Sequence, residues 1–453
     1  MDPTSVMPVP SDIPLPLPLD RVLGEALLVL VFLAHILFVN LMVGGAVLTV
    51  ACEIMGLKRR DYDTLAREIA KTITVNKSLA VVLGVGPLLL INVLYTTYFY
   101  SANALTGSGW ILIVPLVILA FLIAYAHKYS WDRMASAKRA HIALGALSAV
   151  LFLLIPFIFL SNVNLMLFPD KWLEVHGFLS TLAMPNVLPR YAHFVLACVA
   201  LSSLFLAIYL TRSSFPIEEL FDTFTRASLR RGFLGLTFGA TLVQFLVGPL
   251  VFFTLPTRGL SWFMAIVFAV GIGLGVAAVA LLWREVRATA ERIGARALPI
   301  VGLLACTVLC MGYGRHLYRE GAVGDHRDLT VARAEESVRL AAAARLRAEL
   351  NIESASVPPG ERIFKNVCAA CHMEDKVLVG PPLREIRELY ADDPAGIVKW
   401  VLAPGKKRQG FQQMPAFRMP ESKLMAVAEY ILEPPTSDRE QPVPTGDTST
   451  DRG

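Results

Sequence analysis

The chain has 453 residues, 55% of them hydrophobic and 17% charged, with a mean hydropathy of +0.55 and a formal net charge of +5. This apolar excess excludes an ordinary soluble globule and a disordered chain, and points to a polytopic membrane protein. The positive charge is spread over several short connections, which makes it a topology signal and not a surface for nucleic acid.

Residues 1–21 begin "MDPTSVMPVPSDIPLPLPLD", rich in proline and without a basic n-region. They read as an extended tail and not as a cleavable signal peptide, so the first apolar helix inserts as its own anchor. A membrane span needs about 20 apolar residues. Eight segments qualify: 23–55, 75–101, 108–127, 139–167, 190–211, 230–255, 259–283 and 297–316. Residues 22–316 are thus expected to form an all-α bundle of about eight transmembrane helices, with no internal repeat of roughly 20–50 residues.

Lysine and arginine orient it. The connections after the odd-numbered spans hold 18 of them, from Lys58 in the first to Arg296 in the last, against three (Lys171, Arg190 and Arg258) in the others. By the positive-inside rule the basic connections face the cytoplasm, and an even span number puts both termini outside. The expected location is a bacterial inner membrane, with the C-terminal part on the periplasmic side.

Residues 317–354 read as a helical linker, since "VARAEESVRLAAAARLRAEL" (331–350) is rich in helix formers. Residues 355–435 follow as a small all-α domain, and 436–453 as a disordered tail. Within the domain, "NVCAACH" puts Cys368 and Cys371 two residues apart with His372 directly behind, the attachment signature of a c-type haem. Both thiols add to the haem vinyl groups and the imidazole ligates the iron. The remaining cysteines, Cys52, Cys198, Cys306 and Cys310, sit in apolar segments and read as small buried hydrophobes.

Ionisable residues inside spans are functional candidates, because they are costly in lipid. His35 lies well inside span 1 and His193 opens span 5. Both are read as ligands or hydrogen-bonding groups in the outer half. His127 and His141, at helix ends among Lys, Asp and Arg, read as solvated interfacial groups. His316 is open to either reading. His176, beside Trp172, reads as part of an interfacial amphipathic helix.

Two resemblances follow from the motifs. "PPGERIFKNVCAACH", "GPPL" (380–383), "QQMPAF" and "SKLMAVAEYIL" resemble a class I cytochrome c. That resemblance implies one covalent haem c with Met414 as sixth ligand. Met373 is too near His372 in sequence to reach the opposite face, and Met419 lacks the usual flanks. Histidine–thioether ligation suits electron transfer.

"AHILFVNLMVGGAVLTVACEIMG", "YSWDRM", "YAHFVLACVALSSLFLAIYL" and "YGRHLYRE" resemble, in order, segments of the large subunit of cytochrome bd-type quinol oxidases. The resemblance places His35 and His193 on haem-ligating histidines. It implies one or two haems of b type, haem d being the alternative. The chain departs from that family in several places. The quinol-binding loop shrinks to "TLPTRGLS", the third span has no carboxylate, and Ala305 stands near the position of a haem-ligating glutamate. The short loop argues against quinol binding in that family's manner. The expected role is a respiratory electron-transfer cytochrome working with other membrane subunits and a periplasmic redox protein such as a soluble cytochrome c. The alternatives are a cytochrome c-dependent terminal oxidase, and a haem-c anchor and assembly subunit.

Overall fold

A computed structural model describes residues 19–349, 359–406 and 413–433, the side chains of 74–77 and 346–349 excepted. Most of residues 1–21, all of 436–453 and residues 350–354 of the expected linker lie outside it.

In the first of two units, Met1–Val338, helix α1 (Arg21–Gly56) starts where the Asp20 carboxylate accepts the Leu23 amide at 3.0 Å. It is followed by α2 (Arg60–Leu94), α3 (Thr96–Thr106), α4 (Ser108–Tyr129), α5 (Lys138–Leu165) and α6 (Val187–Tyr209). Helices α7 (Arg226–Phe253), α8 (Trp262–Val286) and α9 (Ala297–Glu349, of which the residues up to Val338 belong to this unit) complete the series. No strand occurs among the described residues. Seven of these helices are long and apolar enough to cross a membrane, and Arg60–Ile73 with Ser78–Leu94, bent by 40°, would supply an eighth. The protein is an all-α polytopic membrane bundle. Large apolar side chains such as Leu30, Val82, Ile111 and Leu246 point outward, as lipid-facing positions do.

Close packing follows from small residues. A Cβ at Gly44 on α1 would lie 2.1 Å from the Cys198 carbonyl oxygen on α6, so only glycine allows this crossing. The Ser202 hydroxyl donates to the Asn40 carbonyl at 3.0 Å across the same contact. Prolines 87, 115, 156 and 249 sit inside helices, as membrane spans tolerate.

The two ends of the bundle differ in chemistry. At one end the basic connections lock together. Asp61 accepts from the Asp222 and Thr223 amides at 3.0 and 2.6 Å, Arg67 pairs with Asp132 at 2.6 Å, and Arg230 donates to the Ile293 carbonyl at 2.7 Å. At the other end a core gathers Tyr95, Tyr98, Phe99, Trp172 and Tyr318. Helix α9 runs unbroken past His316 into the stretch read as a linker. Tyr318, Ala322 and Val323 are buried in that same core, which gives the extra turns a packing partner.

The spans differ in detail from expectation. The second, expected over 75–101, is instead the latter part of α2 and the start of α3, interrupted at Tyr95. Of the four cysteines read as buried, Cys52 and Cys198 are; Cys306 is exposed and Cys310 half-buried on the apolar stretch of α9.

The second unit, Arg339–Gly453, contains α10 (Pro359–Ile363), a π-helical turn Phe364–Cys368, α11 (Leu383–Leu389), α12 (Pro394–Leu402) and α13 (Glu421–Leu432). Its core is Phe364, Leu383, Ile397, Val398, Leu424, Val427, Ala428 and Ile431. Helices α10 and α13 cross closely enough that a Cβ at Gly360 would sit 1.9 Å from the Ala426 carbonyl oxygen.

Candidate functional site

In the second unit the π-helical turn delivers Cys368 at its end, with the Ala369 amide bonding back to the Phe364 carbonyl at 2.9 Å. The chain then tightens: the amides of Cys371 and His372 both bond to the Cys368 carbonyl at 3.0 Å. Burial, with Cys371 beside it, pushes the Cys368 thiol up to about 11, so that unreacted thiol stays protonated at neutral pH.

His372 is oriented from two sides. Its Nδ1 lies 2.8 Å from the Pro381 carbonyl, an acceptor, so Nδ1 carries the proton and Nε2 is left bare for a metal. Gly380 packs against the ring: a Cβ there would lie 2.3 Å from Cε1. Arg387 braces the segment, donating to the Glu374 carboxylate (3.1 Å from Nη2) and to the Ile431 carbonyl at 2.6 Å.

The methionines separate. Met414 lines a surface cavity with Ala403, Pro404 and Gln413, on a strap pinned by the Phe417 amide to the Val401 carbonyl at 3.2 Å. Met419 packs against the domain core, while Met373 is 39% exposed. This donor set fits haem c: two thiols, one oriented imidazole and one thioether facing open space.

In the membrane unit, His35 and His193 stand on the helices that cross at Gly44, and their rings meet different partners. His35 Nδ1 is 2.8 Å from the Ala80 carbonyl on α2, which again leaves Nε2 bare. Gly84, one turn further along α2, makes room for the ring, since a Cβ would lie 2.9 Å from its Cε1. His193 Nδ1 is buried with no hydrogen-bond partner, and so is Nη1 of Arg190 one turn earlier on α6. A buried, unbonded imidazole nitrogen and guanidinium on one helix are costly unless something fills both needs. Haem, with an iron and anionic propionates, fits that pair.

The other histidines have protein partners or none. His316 is held between Glu25 (3.4 Å) and Arg319 (3.3 Å), which favours a hydrogen-bonding role over ligation. His176 is exposed. Solvation does not describe His127 and His141. Both are buried against Glu53, which is itself fully buried. Arg190, Gly84 and Glu53 were not singled out as site residues from the sequence. The available signal was cost: an arginine beside a span histidine and a carboxylate within a span each need a partner.

Residues 355–431 match the family model described as cytochrome C oxidase, cbb3-type, subunit III. The structure of bd oxidase from Geobacillus thermodenitrificans superposes with a TM-score of 0.52 at 13% identity, covering 76% of this chain and 98% of that one. No curated protein matches the sequence. The chain therefore joins a membrane helical bundle sharing the fold of that bd oxidase to a C-terminal class I cytochrome c domain.

Proposed function

We propose that this protein is a membrane-bound respiratory electron-transfer cytochrome. Cys368 and Cys371 tether a c-type haem that His372 and Met414 ligate, and His35 and His193 hold one or two b-type haems in the bundle. The observation that carries the reading is the state of the imidazoles. His372 and His35 each give Nδ1–H to a backbone carbonyl, which turns Nε2 toward a metal, and His193 keeps a buried nitrogen unused beside the orphan guanidinium of Arg190. Bound haem supplies one-electron chemistry at a protein-tuned potential. The residues do the rest. Pro381 and Gly380 fix the His372 ring, the Met414 thioether would serve as the second ligand, and Arg190 would offset carboxylate charge in the apolar interior.

The proposal divides the chain into 22–316 for the bundle, 317–354 for a linker whose first turns pack in the bundle's core, and 355–435 for the cytochrome c domain. The distribution of lysine and arginine supports a bacterial inner membrane with the c domain on the periplasmic side. There a soluble cytochrome c is the natural exchange partner.

A second reading, a cytochrome c-dependent terminal oxidase, is favoured by the fold shared with a bd oxidase. Dithionite-reduced spectra with and without carbon monoxide separate the two. Haem b without a carbon monoxide shift supports the relay; haem b or d with a clear shift moves the oxidase ahead. A spectrum of haem c alone defeats both and leaves an anchor subunit.

A further inference from the structure

Three side chains from three helices meet at the end of the bundle that carries the basic connections. Glu53 comes from the end of α1, His127 from the last turn of α4 and His141 from the first turn of α5. Glu53 and His141 are 0% exposed and His127 5%. Their ligating atoms all lie within 4.8 Å of one another. Glu53 Oε2 is 2.9 Å from His127 Nε2, and Oε1 contacts His141 Nδ1. The two rings stack with centroids 4.2 Å apart, and Trp131 closes their edge.

The proton count at His141 is informative. Its Nε2 is 2.8 Å from the His127 carbonyl, which can only accept, so Nε2 carries the ring proton. In the neutral ring Nδ1 is then a bare lone pair, and it faces a carboxylate oxygen. Two acceptors in contact need a cation between them. Lys138 reaches Glu53 Oε1 at 2.8 Å, but its ammonium is shared with Asp63 at 2.5 Å and lies 4.2 Å from the centre of the Trp131 ring. One ammonium thus serves two carboxylates, and His141 Nδ1 still faces Glu53 Oε1 with no proton of its own between them.

We propose that Glu53, His127 and His141 form a buried site for a divalent transition metal of the zinc class. Two imidazole nitrogens and a carboxylate oxygen are a donor set zinc accepts, with no thiolate required. The His141 Nε2 bond to a carbonyl is the outer-shell contact that fixes a ligating tautomer. Gly145 leaves the space clear at the second nitrogen, since a Cβ there would lie 2.7 Å from His127 Nε2. A cavity lined by Thr49, His127, Lys128, Gly145 and Ser148 borders the site and has room for the water that completes four-coordination. The metal ties α1, α4 and α5 together where their polar ends converge. This site stands independently of the haem reading.

The test uses the full chain, purified in detergent from cells grown with added zinc and washed free of loose metal, with metal content read by mass spectrometry. The expected result is close to one zinc per chain, falling to background in Glu53→Gln and His141→Gln. Lys138→Met, which keeps all three donors, retains the metal. Where the ligand variants fail to fold, the wild type decides alone: chelation lowers its melting temperature and added zinc restores it. Background zinc in the wild type, with melting indifferent to chelator and zinc, overturns the proposal and assigns the missing cation to a proton on His141. Equal zinc in wild type and folded ligand variants overturns it as well.

Discussion

Replacing Gly380 by alanine tests how the c-type site is tuned. The new Cβ would lie 2.3, 2.8 and 2.9 Å from Cε1, Nδ1 and Nε2 of His372. Ordinary contacts fall at about 3.5–4.0 Å, so the ring must retreat by roughly 1.2 Å. Its Nδ1–H···O bond to Pro381 stands at 2.8 Å; beyond about 3.5 Å it ceases to be a hydrogen bond. Such a bond contributes about 1 kcal/mol net. It also makes the imidazole a more basic ligand, which favours the oxidised iron. Losing it should raise the midpoint potential. At about 59 mV per tenfold for one electron, 1 kcal/mol corresponds to roughly 43 mV. Only the part of that energy that differs between redox states counts, so the expected shift is about 20–40 mV upward. Spectroelectrochemical titration of the c haem in the full chain measures it. A potential unchanged within about 10 mV, with the haem still six-coordinate, would refute the assignment of the Pro381 bond as the tuning contact.

Other outcomes follow from the same packing. Met414→Ala should leave the c-type iron reactive to carbon monoxide while Met419→Ala does not, because Met414 lines the open cavity and Met419 packs against the domain core; difference spectra of the two variants decide this. Gly360→Val drives a side chain into the α10–α13 crossing, where even a Cβ sits 1.9 Å from the Ala426 carbonyl oxygen. The cost is about 3 kcal/mol, a large part of the roughly 5–15 kcal/mol by which domains are stable. Guanidinium unfolding followed by haem c absorbance should show a much lower midpoint, and an unchanged one would contradict the close crossing. Gly44→Leu should separate α1 from α6 and lower the thermal midpoint of the membrane unit in detergent, checked by the temperature at which helical circular dichroism is lost.

The parts of this molecule that could be read from its sequence are those written locally. Cys368, Cys371 and His372 fall within one turn and its continuation, so spacing alone identifies them. The spans show as runs of apolar residues, and the basic connections meet at one end as their alternation implies. What escaped was written across helices. Glu53, His127 and His141 are 74 and 14 residues apart along the chain, and the last two looked like solvated helix ends because their neighbours are charged. The continuation of α9 past His316 depends on Tyr318 and Val323 finding a core contributed by α3 and the Trp172 turn. Gly84 and Gly380 show their purpose only once an imidazole is seen lying on each.

The most direct test of the central claim is a haem inventory by pyridine haemochrome on the full chain and on His35→Ala and His193→Ala. The account predicts one haem c in all three, with haem b in the wild type that falls in each variant while the c signal stays constant. Haem c alone in the wild type, or a b signal unmoved by both substitutions, would contradict it.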